Sequence, residues 1–463
     1  MTVRQYDAII IGSGQAGTPL STALAQAGMH TALVERVHVG GTCVNEGCTP
    51  TKTMVASGRV AYLARRAADY GVHTGLISID LKRVRQRKRD MVESFRNGSQ
   101  ARLEKTPKLD LIFGKACFNG PKSIEIVAKD GTRQAISANL IFINAGTRAS
   151  RPKLDGVDSV PSLDNVSIME LDTVPEHLMV LGGGYIGLEF GQLFRRFGSR
   201  VTIVQSSGQL LKGEDPDVAE EVANILRQDG IEILLNARAS RIRQLNGSLE
   251  LEIQPGGSKT LSGTHLLVAT GRVPNSDTLN LRAAGVETDP RGFIKVNDRL
   301  ETTAEGVYAL GDVKGGPAFT HIAYDDFRII RSNVIEKKRA STHNRIVPYT
   351  LFIDPQLGRV GLTETEAREQ YRNVCVAKLP MNSVARALEI DETRGFLKVV
   401  VDADTEQILG AAILGVEGGE VMAAVEVAMM GKLPYTALRD GIFAHPTLAE
   451  ALNNLLTTMV AET

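Results

Sequence analysis

The chain has 463 residues, enough for about three domains of ordinary size, and its 43% hydrophobic and 23% charged content is that of a soluble globular protein. Lys plus Arg and Asp plus Glu both total 53, so no global field draws the chain to nucleic acid or to an anionic membrane surface. No apolar run approaches the roughly 18 residues of a membrane span, and the opening Tyr6-Asp7-Ala8-Ile9-Ile10-Ile11 lacks the cationic leader and cleavage site of a signal peptide. A cytoplasmic location is the expectation that follows.

In chain order, an apolar strand over Tyr6–Ile11 enters Gly12-x-Gly14-x-x-Gly17, then a helical stretch to Gly28, then a strand over Thr31–Glu35. The same grammar returns at His177–Leu181, with Gly182-x-Gly184-x-x-Gly187, a helix to Gly198 and a strand over Arg200–Val204. The halves also close alike, in Ala145-Gly146-Thr147-Arg148 and in Ala269-Thr270-Gly271-Arg272. One such glycine triplet is weak evidence; two, each between a strand and a helix, predict two Rossmann-like α/β units that bind dinucleotides. The first glycine permits the turn, the second lets backbone approach a pyrophosphate, and the third lets helix pack on strand. The helix N-terminus supplies free N–H groups and a positive dipole end.

The two units differ at the adenosine end. Glu35 follows Gly12 by 23 residues, placed to accept hydrogen bonds from a ribose. The same count from Gly182 reaches Gln205, which would not repel a 2′-phosphate, although only Ser206, Ser207 and the more distant Lys212 follow it. That leaves NADH and NADPH both open, with a slight lean to NADPH. The basic run Lys82–Arg89 reads as a solvated helix face. From Leu279 the chain returns to the first unit and reaches Gly311-Asp312 at the end of a strand. From Ile346 it changes to strands (Phe396–Val401, Ile408–Gly415) and amphipathic helices, a separate α+β domain.

Four cysteines, Cys43, Cys48, Cys117 and Cys375, make no secreted disulfide scaffold. Cys43 and Cys48 stand five apart, and in a regular helix such residues point about 140° from each other. Gly47 and Pro50 make an irregular turn plausible there, so a somewhat strained and hence reducible disulfide is feasible. A zinc site lacks further Cys or His ligands at usual spacing, so no metal is assigned; two unpaired structural thiols are the third reading. Cys117 and Cys375 read as small buried apolar residues.

The segments GGTCVNEGCTPTK, GGGYIGLEF, ATGRVPN, TTAEGVYALGD and FAHPTLAEAL resemble the class I pyridine nucleotide-disulfide oxidoreductases, the group of dihydrolipoamide dehydrogenase, glutathione reductase and mercuric reductase. The resemblance runs along essentially the whole chain. It implies an FAD domain (1–154), an NAD(P) domain (155–278), a return to the FAD domain (279–345) and a C-terminal α+β dimerisation domain (346–463) of a homodimer. It further implies that Cys48 contacts the flavin and Cys43 meets the substrate. His445, oriented by Glu450, is then the acid–base group supplied by the partner subunit. Lys52 and Glu189 resemble an ion pair beside the flavin, and Tyr185 an aromatic lid over the nicotinamide pocket. Asp312 resembles a ligand of the FAD ribityl or phosphate region, and the helix beginning near Thr320 points at the flavin. Gly41, Thr42, Ala116, Gly146 and Gly271 are counted among the cofactor contacts.

Within that family, GGPAFTHIAYDDFRI and SVARALEIDETRGFLKVV look closest to mercuric reductase and to the related copper-reducing, reactive-chlorine-resistance flavoprotein. True mercuric reductase activity is not expected. The FAD unit starts at Tyr6 with no metal-binding domain before it, and the chain ends MVAET without a vicinal cysteine pair. His321 and His445 also stand where that enzyme places tyrosines. The reading is an NAD(P)H-dependent flavoprotein reductase of a small-molecule disulfide or a thiophilic metal ion. Dihydrolipoamide dehydrogenase is the first alternative, and a redox-sensing flavoprotein with little turnover the second.

Overall fold

The Arg4–Ile11 strand lies at the middle of a seven-stranded sheet, between Thr31–Glu35 and Arg133–Ile143, both parallel to it. Ile9 pairs with Ala32 on one side and Ile141 on the other. Leu109–Phe113 extends the parallel part beyond Thr31–Glu35, and Val307–Ala309 joins Arg133–Ile143, so the late segment returns to the first sheet. Successive side chains point to opposite faces: Ile9 and Ile11 meet Phe118, Ile124 and Leu279, while Ala8 and Ile10 meet Leu20, Leu24 and Phe142. A parallel strand covered on both faces has to be apolar, which is why the buried stretch Ala8–Ile11 reads as a continuous run while Asp7 before it is exposed.

These coordinates form a computed structural model that describes residues 3–254 and 259–459. The chain divides into two compact units. The first comprises Met1–Met54, Lys82–Ser150 and Gly271–Arg345; the second comprises Val55–Leu81, Arg151–Thr270 and Ile346–Thr463.

In the second unit, Glu232–Leu234, Arg200–Val204, His177–Leu181 and His265–Val268 form a four-stranded parallel sheet in that order. Met179 and Leu181 pack against Leu251 and Ile253 of an antiparallel three-stranded sheet. The C-terminal part is a five-stranded antiparallel sheet, ordered Tyr349–Leu351, Gln356–Gly361, Ile408–Gly415, Phe396–Asp402, Val374–Pro380. Val399 and Ile413 share a core with Val425 and Leu452 from the covering helices. The architecture is therefore α/β with two Rossmann-like units and a C-terminal α+β part. The Lys82–Arg89 run lies on the Leu81–Glu104 helix and is largely solvated, except that Lys88 is buried. Among the described residues no helix is long and apolar enough to cross a membrane.

Helices follow both glycine triplets, Gly17–Gln26 and Tyr185–Phe197, and the third glycine of each is sterically obligatory. A Cβ on Gly17 would lie 2.0 Å from the Gly12 carbonyl oxygen, and one on Gly187 2.1 Å from that of Gly182. Gly17→Ala is expected to destabilise the first unit by about 1–3 kcal/mol through overpacking, read as a lower urea midpoint at unchanged slope.

Candidate active site

The cysteine segment is two helices with a break between them. Gly41–Asn45 carries Cys43, Glu46 leaves helical geometry at φ −142°, and Cys48 opens the Cys48–Arg65 helix. Gly47 caps that helix, its carbonyl accepting from Thr51 N at 3.0 Å. A Cβ on Gly47 would sit 2.9 Å from the Thr42 carbonyl oxygen and 3.4 Å from Cys43 Cα, so glycine is what lets the chain fold back here. The break cancels the divergence a continuous helix would impose, and the two side chains meet as hydrogen-bonded thiols. That hydrogen bond first, and burial second, push the Cys43 thiol up. Cys48 Sγ lies 3.3 Å from Thr320 Oγ1, at the start of the Thr320–Ile330 helix.

The same segment rests on the first glycine turn. A Cβ on Gly41 (φ +60°) would approach Gly14 Cα to 2.7 Å. Asn45, next but one after Cys43, donates to the carbonyls of Val39 and Gly41 and accepts from Arg96 Nε. Glu35 accepts from Ser13 N at 3.0 Å, Ser13 Oγ at 2.6 Å and Val37 N at 2.9 Å, so it braces the turn as well as standing at its ribose end. Asn144, which sequence reasoning passed over, is the other brace. Its Oδ1 accepts from Gly17 N at 2.9 Å and its Nδ2 donates to the Leu310 carbonyl at 3.0 Å. It thereby joins the turn to Gly311-Asp312, and Asp312 accepts from Thr147 Oγ1 at 3.1 Å. The only signal for Asn144 was its position just before Ala145-Gly146. Gly146 (φ +67°) faces open space, and Ala116 lies opposite Ile126 in an outer strand, packed on the sheet core.

The second turn repeats the brace with a neutral residue. Gln205 Oε1 accepts from Gly183 N at 3.1 Å, the counterpart of Ser13 N on Glu35, while its Nε2 donates to Ser207 Oγ and the Gln209 carbonyl. A Cβ on Gly182 would strike the Ala269 carbonyl, whereas Gly184 opens onto empty space. Gly271 lies beside Ser150, whose N donates to its carbonyl at 3.0 Å. Tyr185 begins its helix and is 37% exposed. Glu189, buried one turn on, accepts from Phe352 N at 2.9 Å. Lys52 stands one turn after Cys48 on the Cys48–Arg65 helix.

His445 and Glu450 meet as the sequence implied. Nδ1 of the imidazole lies 2.9 and 3.0 Å from the two carboxylate oxygens, and Thr447 pins the loop between the Ala444 carbonyl and Glu450 N. With Nδ1 held by the carboxylate, Nε2 is the nitrogen left to exchange protons, and the side chain is 68% exposed. His321 stacks on Phe319 at 5.5 Å.

Two braced glycine turns at helix N-termini and a dithiol against one of them define a dinucleotide-dependent thiol–disulfide oxidoreductase. The Pyridine nucleotide-disulphide oxidoreductase profile matches residues 6–326, and that of the same family's dimerisation domain matches 347–456; the chain belongs to this family. It is 39% identical to the probable pyridine nucleotide-disulfide oxidoreductase RclA of Escherichia coli (strain K12), over 98% of this chain and 99% of that protein. It is 36% identical to a mercuric reductase of Bacillus cereus, over 98% of this chain and 71% of that one. A solved Cu(II) complex of the HOCl-induced flavoprotein disulfide reductase RclA from Escherichia coli superposes with a TM-score of 0.90 at 38% identity, covering 98% of this chain and 99% of that one. The protein is therefore an enzyme whose cofactors are FAD and NAD(P)H. Its residues fit them. The corner formed by Gly12, Gly14 and Gly41 leaves no room for side chains, as close backbone approach to a pyrophosphate requires, and Gly184 leaves the same approach open at the second turn.

Gln205→Glu is expected to raise KM for NADPH relative to NADH by about tenfold, since a carboxylate would face the 2′-phosphate. Steady-state kinetics with each nucleotide would show it; an unchanged ratio places the adenosine end elsewhere.

Proposed function

We propose that the chain is an NAD(P)H-dependent flavoprotein reductase that works through the Cys43–Cys48 pair on a small-molecule disulfide or a thiophilic metal ion. The observation that carries this reading is the pair of thiols in hydrogen-bond contact across the Gly47 break. FAD, held at the first glycine turn by Gly12, Gly14 and Gly41, would supply the two electrons from NAD(P)H that open the Cys43–Cys48 disulfide. Cys48, beside Thr320, is the sulfur on the flavin side, and Cys43 is the interchange thiol. Lys52 is the positive charge at the flavin, and Tyr185 covers the nicotinamide pocket. Glu35, Asp312, Gly146, Thr42 and Ala116 serve the FAD; Gln205 and Gly271 serve the nucleotide.

With a disulfide acceptor, the Cys43 thiolate attacks one sulfur, forms a mixed disulfide and releases the other sulfur as a thiolate. That thiolate takes a proton from an imidazolium. Cys48, as its thiolate, then attacks Cys43 Sγ, closes the protein disulfide and releases the second sulfur as a thiolate. A thiol raised by its neighbour and by burial needs a base to deprotonate it, and a carboxylate-oriented imidazole can accept that proton. His445 of the partner subunit fills this role in a homodimer. The matched dimerisation domain and the exposed Nε2 side of the imidazole support this assignment. The metal-ion alternative is supported by the relatives, one solved with Cu(II) and others described as mercuric reductases. A cytoplasmic setting, where thiols are kept reduced, suits this chemistry.

Cys48→Ser is expected to abolish the long-wavelength charge-transfer absorbance of the two-electron-reduced enzyme; survival of the band would exchange the roles of the two cysteines. His445→Ala should slow acceptor reduction by about 10²–10⁴-fold while flavin reduction by NAD(P)H stays near its original rate. An anaerobic panel of lipoamide, glutathione disulfide, Hg(II), Cu(II) and quinones, run with this variant and the parent, tests the acceptor class. Turnover with quinones alone would sink the thiol mechanism.

A further inference from the structure

Behind Tyr185 lies a buried line of polar side chains that the reaction described above does not use. The Tyr185 ring sits 5.4 Å from that of Tyr349, tilted by 45°, and the two hydroxyls are hydrogen-bonded. Tyr349, on the first strand of the five-stranded sheet, donates its proton to Glu214 Oε1. Glu214 Oε2 accepts from Arg359 Nε at 3.1 Å, and Arg359 Nη1 donates to the carbonyls of Val360 and Ala411. Both charged side chains are nearly fully buried, at 1% and 4% exposure. Glu214 N donates to the Leu211 carbonyl, and Leu211 N donates to that of Gly183, which ties this carboxylate to the second glycine turn.

Proton counting sets the direction of the line. A phenol has one proton to give, and Tyr349 gives its own to the carboxylate. Its oxygen can therefore only accept from Tyr185, so the Tyr185 proton points inward. Burial pushes both phenols up, and the charge of Glu214 pushes Tyr349 further, so neither ionises near neutral pH. Replacing a buried ion pair by apolar packing often costs no stability, so a buried pair here invites a role other than packing.

We propose that Tyr349, Glu214 and Arg359 are positioning residues for Tyr185. They hold its ring in one orientation at the second dinucleotide turn and turn its oxygen into a hydrogen-bond acceptor toward the bound nicotinamide nucleotide. This rests on the placement of Tyr185 over the nicotinamide pocket. An amide N–H on the ligand side matches an acceptor-only oxygen, which ties the line to nicotinamide recognition and not to the acceptor half of the cycle.

The test is anaerobic stopped-flow reduction of the FAD-loaded enzyme by NAD(P)H, followed by reoxidation with the best acceptor. The variants are Tyr349→Phe, Tyr185→Phe, the double variant and Tyr185→Ala. Tyr349→Phe should raise the nucleotide concentration for half-maximal flavin reduction roughly 3- to 10-fold and leave reoxidation unchanged. The double variant should be no worse than the poorer single one, because both remove the same link. Full flavin content and unaltered reoxidation show that the variants are folded. Additive losses, or equal losses in the two half-reactions, would overturn the proposal. An effect of Tyr185→Ala without any effect of Tyr349→Phe would overturn it too, while sparing the lid. No effect of Tyr185→Ala on flavin reduction would remove the lid reading itself.

Discussion

A side chain on Gly41 would have to stand 2.7 Å from the Cα of Gly14, and the redox centre depends on that approach. Because the two backbones touch, the segment bearing Cys43 is anchored to the first glycine turn. The helix break at Gly47 then delivers Cys48 beside Thr320. Each contact involves a glycine, since any Cβ would collide with backbone that cannot yield. The cofactor turn and the thiols are one construction rather than two neighbouring sites.

Asn144 and Glu35 complete it by filling the turn's hydrogen-bonding groups from opposite sides. The second unit repeats the device with Gln205 on Gly183 N. An amide and a carboxylate are equally good braces, since each offers an oxygen to a backbone N–H. They differ in charge and in the donor that only the amide carries, which Gln205 uses toward Ser207 Oγ and the Gln209 carbonyl. The line from Glu214 to Tyr185 starts on the same turn and runs into the C-terminal sheet through Tyr349 and Arg359.

Much of this was legible in the residues. Paired glycine triplets between apolar strands and helices define their turns by sterics local to a few positions, so both Rossmann-like units could be read directly. His445 and Glu450 stand five apart in one loop and meet as the family resemblance implied. Asn144, Tyr349 and Arg359 were not legible. Their partners lie 127, 135 and 145 positions away, and no period or motif marks them. Lys88 shows the opposite failure: a cation in a basic run was read as solvated, yet packing buries it.

What the sequence determined alone was the chemistry and the local turns: which residues carry sulfur, imidazole and carboxylate, and where only glycine fits. What tertiary structure decided was which distant groups complete each site. Asn144 closes the first turn, Thr320 stands beside Cys48, and a buried ion pair stands behind Tyr185. The physical reason is that turn sterics are set by neighbours in the chain. Satisfying a buried donor or acceptor needs only a partner within about 3 Å in space, from any point in the chain.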